Sequence, residues 1–149
     1  MKILSKYNFH KSGCFIQTKK GILDYFPDPL FIDCLHPKVY VWLEKGIESE
    51  IIYVGKTQFT IQRRLHQHKQ GFKGKKNNGS NSGSKKHNYL LGALNNGYDV
   101  EIWTRQAEIR ELIINYNILS EISHYSVEEE FFIKEFNPKL NFKNLLKQL

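Results

Sequence analysis

The chain has 149 residues, of which 40% are hydrophobic and 13% aromatic, which fits one domain and excludes an intrinsically disordered protein. No apolar run reaches the ~20 residues of a membrane span, and no long apolar segment follows the first six residues, so we expect a cytoplasmic protein with no membrane partner. The net charge of +7 favours a polyanionic partner, and the two cysteines, Cys14 and Cys34, form no C-x-x-C pair and are expected to be reduced thiols.

Turn and strand signals organise the first part of the chain. We expect residues 1–37 to form an N-terminal, β-rich extension in which Phe15 to Tyr25 folds as a hairpin around a Lys-Lys-Gly turn. Residues 39–43 and 51–54 are rich in β-branched and aromatic side chains and predict two strands. The short polar link between them favours an antiparallel pair.

Helices and one further strand are predicted for the remainder. Thr60 predicts the N-cap of a helix that stops at Gly71, and a flexible basic loop, 71–86, is expected to follow it. The further predicted elements are a short helix from His87 to Asn95, a strand over 100–104, a helix over 107–114 and a final helix capped by Ser126. Together they predict one α/β (α+β) domain over 38–149, with a three-stranded, mostly antiparallel sheet flanked by helices.

The positive charge is concentrated in one third of the sequence. Residues 51–98 contain nine lysines and arginines and no aspartate or glutamate, whereas the rest of the chain has slightly more acids than bases. Such a cluster is typical of nucleic-acid-binding proteins, although a solvated, lysine-rich surface would have the same composition. The lysines of this segment that we consider candidate DNA contacts are Lys69, Lys73, Lys75, Lys76 and Lys85.

Chemically useful side chains lie at the joints of these elements. Tyr40 and Tyr53 fall in the two neighbouring strands, and Arg64 and His68, four residues apart, share one face of the next helix. Each of these residues alone would be an ordinary strand aromatic or a solvated helix residue. Their order along one small domain is what suggests a common site.

One glutamate of the last helix also stands out. Glu129 precedes Ile133 by four residues and Phe136 by seven, so it faces the packed side of its helix. A carboxylate there is costly unless something such as a divalent cation compensates its charge. Adjacent glutamates at a helix start also favour the helix dipole, and that simpler role fits Glu128 and Glu130 better.

In this order the motifs resemble those of the GIY-YIG nuclease family. The second family motif stands here as Tyr53-Val54-Gly55-Lys56-Thr57, and the arginine and histidine of the next helix follow as in the family. Glu129 ahead of Ile133, with Asn137-Pro138-Lys139-Leu140-Asn141 after it, resembles the family's closing motif. The resemblance runs from about Lys38 to Asn141.

Two features depart from the family pattern or leave an alternative. The first motif reads Lys38-Val39-Tyr40, which lacks the glycine of GIY and keeps its tyrosine. A slip of one residue would replace Arg64 by Arg63, or Glu129 by Glu128. We prefer Arg64, because it keeps its phase to Ile61 and to His68.

The resemblance implies a role for each of these residues. Glu129 would bind one Mg²⁺, for which Mn²⁺ should substitute, with waters and phosphate oxygens as the other ligands. Tyr40, assisted by Lys56, would act as general base or orient the attacking water, and nearby positive charge would have to favour its ionised form, because the ordinary tyrosine pKa is ~10. Arg64 would clamp a phosphate oxygen through its planar donor fork. The other implied members of the site are Tyr53, His68 and Lys86.

These observations lead to a functional hypothesis. We expect a Mg²⁺-dependent endonuclease that hydrolyses phosphodiester bonds of double-stranded DNA, of the phage host-DNA-degrading or the restriction type. A cut through both strands needs two sites, so a homodimer or homotetramer is expected. The alternative is a catalytically silent DNA-binding module with the same fold. Asn141 is expected to have a structural role and to bond the backbone.

Overall fold

The computed structural model describes residues 2–72, 82–114 and 116–141, which form helices and β-strands. In chain order these are α1 (Lys2–Lys6), β1 (His10–Gln17), β2 (Leu23–Pro27), β3 (Lys38–Lys45), β4 (Ser49–Thr57), α2 (Ile61–Phe72), α3 (Ser82–Asn95), β5 (Asp99–Gln106), β6 (Ile109–Ile114), β7 (Asn117–Ser123) and α4 (Tyr125–Phe136).

Five strands form one antiparallel sheet in the order β2-β1-β5-β3-β4, and β6 pairs with β7 in a separate two-stranded sheet. The mixed α/β architecture with an antiparallel sheet is confirmed, but the prediction of three strands is wrong. β1 pairs with β5 and so brings β2 into the sheet as well. Without β1, β5 would present an unpaired edge of backbone donors and acceptors, which strand pairing satisfies.

Strand β3, which lies between β5 and β4, is buried on both faces, which explains its nearly unbroken run of hydrophobic residues. Tyr40 and Trp42 belong to a core that α2 and α3 cover, whereas Val39 and Val41 belong to a second core that α1 and α4 cover. The sheet therefore lies between two helical layers. Tyr40 faces the layer formed by α2 and α3.

Two separate parts of the chain cap the N-terminus of α2. Thr60 Oγ1 accepts a hydrogen bond from the Arg63 backbone N–H at 3.2 Å, which confirms the predicted N-cap. Asp33, in the segment before β3, accepts hydrogen bonds from the backbone N–H groups of Ile61 and Gln62 at 2.8 and 3.0 Å. The start of α2 is thereby fixed relative to β3.

The basic loop between α2 and α3 is shorter than predicted. α3 begins at Ser82 and not at His87, so Lys85 and Lys86 lie in a helix. The Lys86 ammonium lies 4.3 Å from the centroid of the Tyr53 ring, and such tertiary packing overrides the weak helix propensity of the Ser-Gly-Ser start. The predicted DNA contacts Lys73, Lys75 and Lys76 lie outside the described residues.

The C-terminal part differs from the prediction at two points. A helix was expected over 107–114, but β6 forms there and pairs with β7, because an isoleucine-rich segment fits a strand once a partner strand is available. The last helix, α4, begins at Tyr125 with His124 as its N-cap, so the predicted Ser126 cap is wrong. No helix in the described ranges is long and apolar enough to cross a bilayer.

Candidate active site

Gly55 allows the two motif tyrosines to meet. Tyr40 lies directly opposite Gly55 in the β3–β4 ladder, and a Cβ at position 55 would stand 2.5 Å from the Tyr40 hydroxyl oxygen and 2.9 Å from the Tyr53 ring. A β-bulge at Ile52 turns both Ile52 and Tyr53 toward the same core. Any side chain at position 55 would push these tyrosines apart.

The hydroxyl of Tyr40 is buried beneath α2, between two side chains of that helix. Arg64 Nε donates a hydrogen bond to Tyr40 Oη at 3.1 Å, and His68 Nε2 lies 2.7 Å from the same oxygen. Arg63 does not reach Tyr40; its guanidinium carbon lies 3.9 Å from the centroid of the Phe59 ring. Of the two alternative arginines, Arg64 therefore has the geometry expected of a group beside the tyrosine.

Burial dominates the protonation of this cluster. It raises the pKa of Tyr40 well above the ordinary value, and the neighbouring Arg64 offsets this only in part. Arg64 favours the ionised tyrosine as expected, but in the free protein desolvation of the phenolate outweighs this attraction and the pKa of Tyr40 stays raised. Burial, together with Arg64 and Lys86, lowers the pKa of His68 well below its ordinary value, so the imidazole is neutral at pH 7.

Lys86 adds a third basic group to the cluster. Its ammonium lies over the face of Tyr53, and burial, reinforced by the charge of Arg64, lowers its pKa to about 8. In the part of the chain that the structure describes, no carboxylate lies within 4 Å of the basic nitrogens of Arg64 or Lys86. These cations therefore form a site suited to an anion.

Glu129 and Lys56 lie together beside this cluster. Lys56 Nζ is 3.0 Å from Glu129 Oε2 and donates a hydrogen bond to Ser126 Oγ at 3.1 Å. The Glu129 carboxylate is 19% exposed. Burial chiefly, and the negative charge of Glu129 in addition, raise the pKa of Tyr53. The ion pair and the tyrosines thus belong to one electrostatic environment.

The neighbouring Glu128 is engaged elsewhere. Its carboxylate accepts hydrogen bonds from Nε and Nη2 of Arg105 at 3.2 and 2.9 Å, and also from the backbone N–H of Glu108 at 3.1 Å. This arrangement ties α4 to the end of β5. The structure therefore places Glu129, and not Glu128, beside Lys56 and the tyrosines.

The predicted DNA contacts that can be located have different surroundings. Lys69 forms an ion pair with Asp24 at 2.8 Å and so links α2 to β2. Lys85 lies on the exposed side of α3. Lys69 thus holds two elements together, whereas Lys85 is exposed to solvent on α3.

Sequence reasoning missed the residues that hold the site from outside. The buried Lys38 ammonium donates to the carbonyl oxygens of Cys34 and Phe59, the latter at 3.1 Å, and lies 3.7 Å from Asp33. Lys38 occupies the position where the family motif has glycine, and that departure was the available signal. Asn141 was expected to bond the backbone, and this is confirmed.

Asn141 holds strand β4 in place. Its Oδ1 accepts a hydrogen bond from the backbone N–H of Val54 at 2.8 Å, and its Nδ2 donates to the Val54 carbonyl at 2.7 Å. Both backbone groups of one β4 residue are therefore satisfied by a side chain beyond α4. This fixes the segment between Tyr53 and Gly55.

The donor set fits a sparsely ligated divalent cation. No group of three or more histidine, cysteine, aspartate or glutamate side chains with metal-binding geometry occurs within residues 2–72, 82–114 and 116–141. Glu129 is a single, partly exposed carboxylate next to a site for an anion. One carboxylate with water and phosphate oxygens suits Mg²⁺, which keeps much of its hydration shell, and does not suit a closed structural metal site.

Comparisons with known proteins agree with this fold. The structure is similar to that of a mutant of bacteriophage T4 EndoII, with 23% identity, a TM-score of 0.72 and coverage of 95% of this chain and 97% of that one. It is also similar to the restriction endonuclease HPY188I in complex with product DNA, with 17% identity, a TM-score of 0.52 and coverage of 93% and 80%. No curated protein sequence matches the chain. The family model of the GIY-YIG catalytic domain matches residues 36–141, which is most of the sequence, and the chain belongs to this family.

Proposed function

We propose that the protein is a Mg²⁺-dependent endonuclease that hydrolyses phosphodiester bonds of double-stranded DNA, of the phage host-DNA-degrading or the restriction type. The observation that carries the proposal is the buried Tyr40 hydroxyl, held between Arg64 and His68 at 3.1 and 2.7 Å. Family membership and the two endonuclease folds support it.

Arg64 and Lys86 bind the scissile phosphate in this proposal. Arg64 Nε holds Tyr40, while its Nη1 donates to Gln67 Oε1 at 3.0 Å and can exchange this exposed amide for a phosphate oxygen. Charge developing on the phosphate in the transition state is stabilised by donors that are already in place. A bound phosphate also favours the protonated form of Lys86, whose pKa is otherwise about 8.

Tyr40 and His68 move the proton of the attacking water. A tyrosine whose pKa is raised by burial does not act as a base by first ionising in the free protein. The hydroxyl oxygen instead takes a proton from the water while it passes its own proton to the neutral Nε2 of His68, 2.7 Å away. The charge formed then resides on an imidazolium beside the phosphate.

Glu129 holds the metal in this proposal, with Mn²⁺ able to replace Mg²⁺. When bound, the cation supplies Lewis-acid stabilisation to the phosphate oxygens. Lys56 at 3.0 Å neutralises the Glu129 carboxylate in its absence. With Glu129 bound to the metal, the ammonium of Lys56 would be free to bind the phosphate.

The partner and assembly follow from charge and symmetry. The net charge of +7 and the acid-free segment 51–98 support a nucleic-acid partner. A double-strand cut requires two sites with opposite strand polarity, which a two-fold homodimer or a homotetramer provides. Light scattering at micromolar concentration is expected to give at least twice the 17.6 kDa chain mass, and a monomer that only nicks DNA would contradict this.

The test is cleavage of supercoiled plasmid with Mg²⁺, followed by sequencing of the ends. The wild-type protein is expected to cut the plasmid, and Glu129→Gln to bind it without cutting. Glu130→Gln, an exposed position on the same helix, removes the same charge and should cut normally. DNA binding without cleavage by the wild-type protein, with Mg²⁺ or Mn²⁺, would favour a silent DNA-binding module.

A further inference from the structure

An exposed arginine beside the active site is held over an aromatic ring. The guanidinium carbon of Arg63 lies 3.9 Å from the centroid of Phe59, whose residue surface is 36% exposed. No carboxylate oxygen of the described residues lies within 4 Å of the Arg63 guanidinium. The stacking surface therefore orients a charged donor fork without occupying its hydrogen-bonding edge.

The backbone that carries the Phe59 ring is held on both sides by hydrogen bonds. The backbone N–H of Phe59 donates to Thr57 Oγ1 at 2.9 Å, and its carbonyl accepts a hydrogen bond from the buried Lys38 at 3.1 Å. Arg63 also starts from a fixed backbone, since its N–H is bonded to the Thr60 cap. An arginine on such a platform loses little conformational freedom when it binds, which favours specific recognition.

Arg63 lies on the same surface of α2 as the proposed phosphate-binding residue Arg64. Gln67, four residues later and on the same helix face, accepts a hydrogen bond from Arg64, so Arg63, Gln67 and Arg64 form one continuous surface. α2 carries no acidic residue that would repel DNA. A helix with its side chains measures about 10–12 Å across, which matches the roughly 12 Å width of the major groove.

We infer that Arg63, oriented by Phe59, reads a guanine in the major groove next to the cut, and is a specificity-determining residue of the nuclease. The inference rests on the proposed function. A planar fork aimed past an aromatic ring suits the two acceptors O6 and N7 of guanine, which arginine binds in bidentate fashion. A phosphate contact by the same fork would carry no sequence information, so a base preference at the cut ends distinguishes the two.

Two variants separate base reading from phosphate binding. Arg63→Gln removes the planar pair of N–H donors that would bind guanine O6 and N7. Phe59→Leu keeps the charge of Arg63 but removes the aromatic ring that orients it. Ends are sequenced after limited cleavage of a mixed-sequence plasmid library. At one position near the cut, both variants should lower the preference for guanine by about 5- to 150-fold, the discrimination range of one bidentate pair. Arg110→Gln, an exposed arginine on β6, is the matched control and should leave the end profile unchanged.

The experiment distinguishes failure of base reading by Arg63 from failure of the proposed nuclease activity. If the wild-type protein cuts but shows no guanine preference near the ends, or if Phe59→Leu keeps the wild-type profile, base reading by Arg63 is wrong while the nuclease activity stands. If Arg63→Gln instead weakens binding of all sequences equally and lowers the salt dependence, Arg63 contacts phosphate and the inference is overturned. A wild-type protein that leaves DNA uncut overturns the proposed function and this inference with it.

Discussion

Two clusters of buried charge lie on the sheet, and they are built in opposite ways. The buried Glu101 on β5 accepts hydrogen bonds from Lys11 and Lys45 at 2.9 and 3.2 Å and from the Trp103 indole N–H at 2.9 Å. These partners outweigh burial and lower the pKa of its carboxyl. The cluster around Tyr40 instead gathers basic groups, and there burial lowers the pKa of Lys86 and of His68.

The difference separates a structural network from a binding site. A buried charge with partners in the fold stabilises that fold modestly, whereas a buried cation with no carboxylate partner costs free energy until an anion arrives. The Glu101 network is satisfied within the protein. The Tyr40 cluster would be satisfied by a phosphate, and binding sites commonly carry this kind of cost.

The largest expected effect is on the cleavage rate, from a substitution that disrupts the Tyr40 cluster but keeps its charge. Arg64→Lys retains the positive charge but loses the planar fork that contacts Tyr40, so the single-turnover cleavage rate should fall about 100-fold, as for loss of one preorganised donor. Arg63→Lys is the comparator and should retain most of the single-turnover rate on saturated DNA, because Arg63 lies over Phe59 and does not contact Tyr40, although its preference for guanine at the ends should fall. The reverse order of the two variants would move the phosphate contact to Arg63.

The next largest effect is a loss of stability when the Glu101 network is disrupted. Glu101→Gln removes the charge that two lysines share and should lower the free energy of unfolding by about 2 kcal/mol, measured by urea denaturation. Glu48→Gln, at an exposed position, should change it by less than about 0.5 kcal/mol. Equal stability of the two variants would show that the Glu101 network contributes no more than a surface charge.

For the Tyr40 cluster we expect the opposite change in stability: removing one of its cations should stabilise the protein. Lys86→Met replaces a desolvated cation by an apolar side chain of similar length and should raise the free energy of unfolding by up to about 1 kcal/mol, while cleavage slows. Urea denaturation and single-turnover rates are measured on the same preparation. A loss of stability in Lys86→Met would mean that Lys86 stabilises the free protein, contrary to the distinction drawn between the clusters.

The last expected effect is a change of stability with pH. Between pH 8 and pH 10 an unfolded lysine, whose ordinary pKa is 10.5, holds a proton that the folded Lys86 has released. The unfolded state therefore binds more protons, so the free energy of unfolding rises with pH through this window. Wild-type protein should show a steeper rise than Lys86→Met in urea denaturation at pH 7.5, 8.5 and 9.5. Parallel curves would contradict the lowered pKa.

Much of the site could be predicted because its chemistry depends on local spacing. Arg64 and His68 share a face by helix geometry alone, and both reach Tyr40 as that spacing requires. The raised pKa of Tyr40 could not be predicted, since it depends on how deeply packing buries the hydroxyl. The same limit applies to Glu128 and Glu129, whose different partners come from distant strands.

The fold was less predictable where pairing joins distant segments. The hairpin of β1 and β2 carries no sequence signal that it docks on β5, some 90 residues later, so the sheet was predicted with too few strands. The pattern over 107–114 predicts a helix, because the partner strand β7 that makes β6 a strand lies in a segment without clear periodicity. Composition predicts a loop for Lys85 and Lys86, whereas both lie in α3, where Lys86 contacts the Tyr53 ring.

The double hydrogen bond from Asn141 to Val54 has a consequence for synthesis of the protein in a cell. It joins two residues 87 positions apart, and the later one follows every other element of the described fold. During translation the strand that carries Tyr53 and Gly55 therefore lacks this clamp until Asn141 has left the ribosome. A chain interrupted before Asn141 would therefore leave both backbone groups of Val54 without these partners.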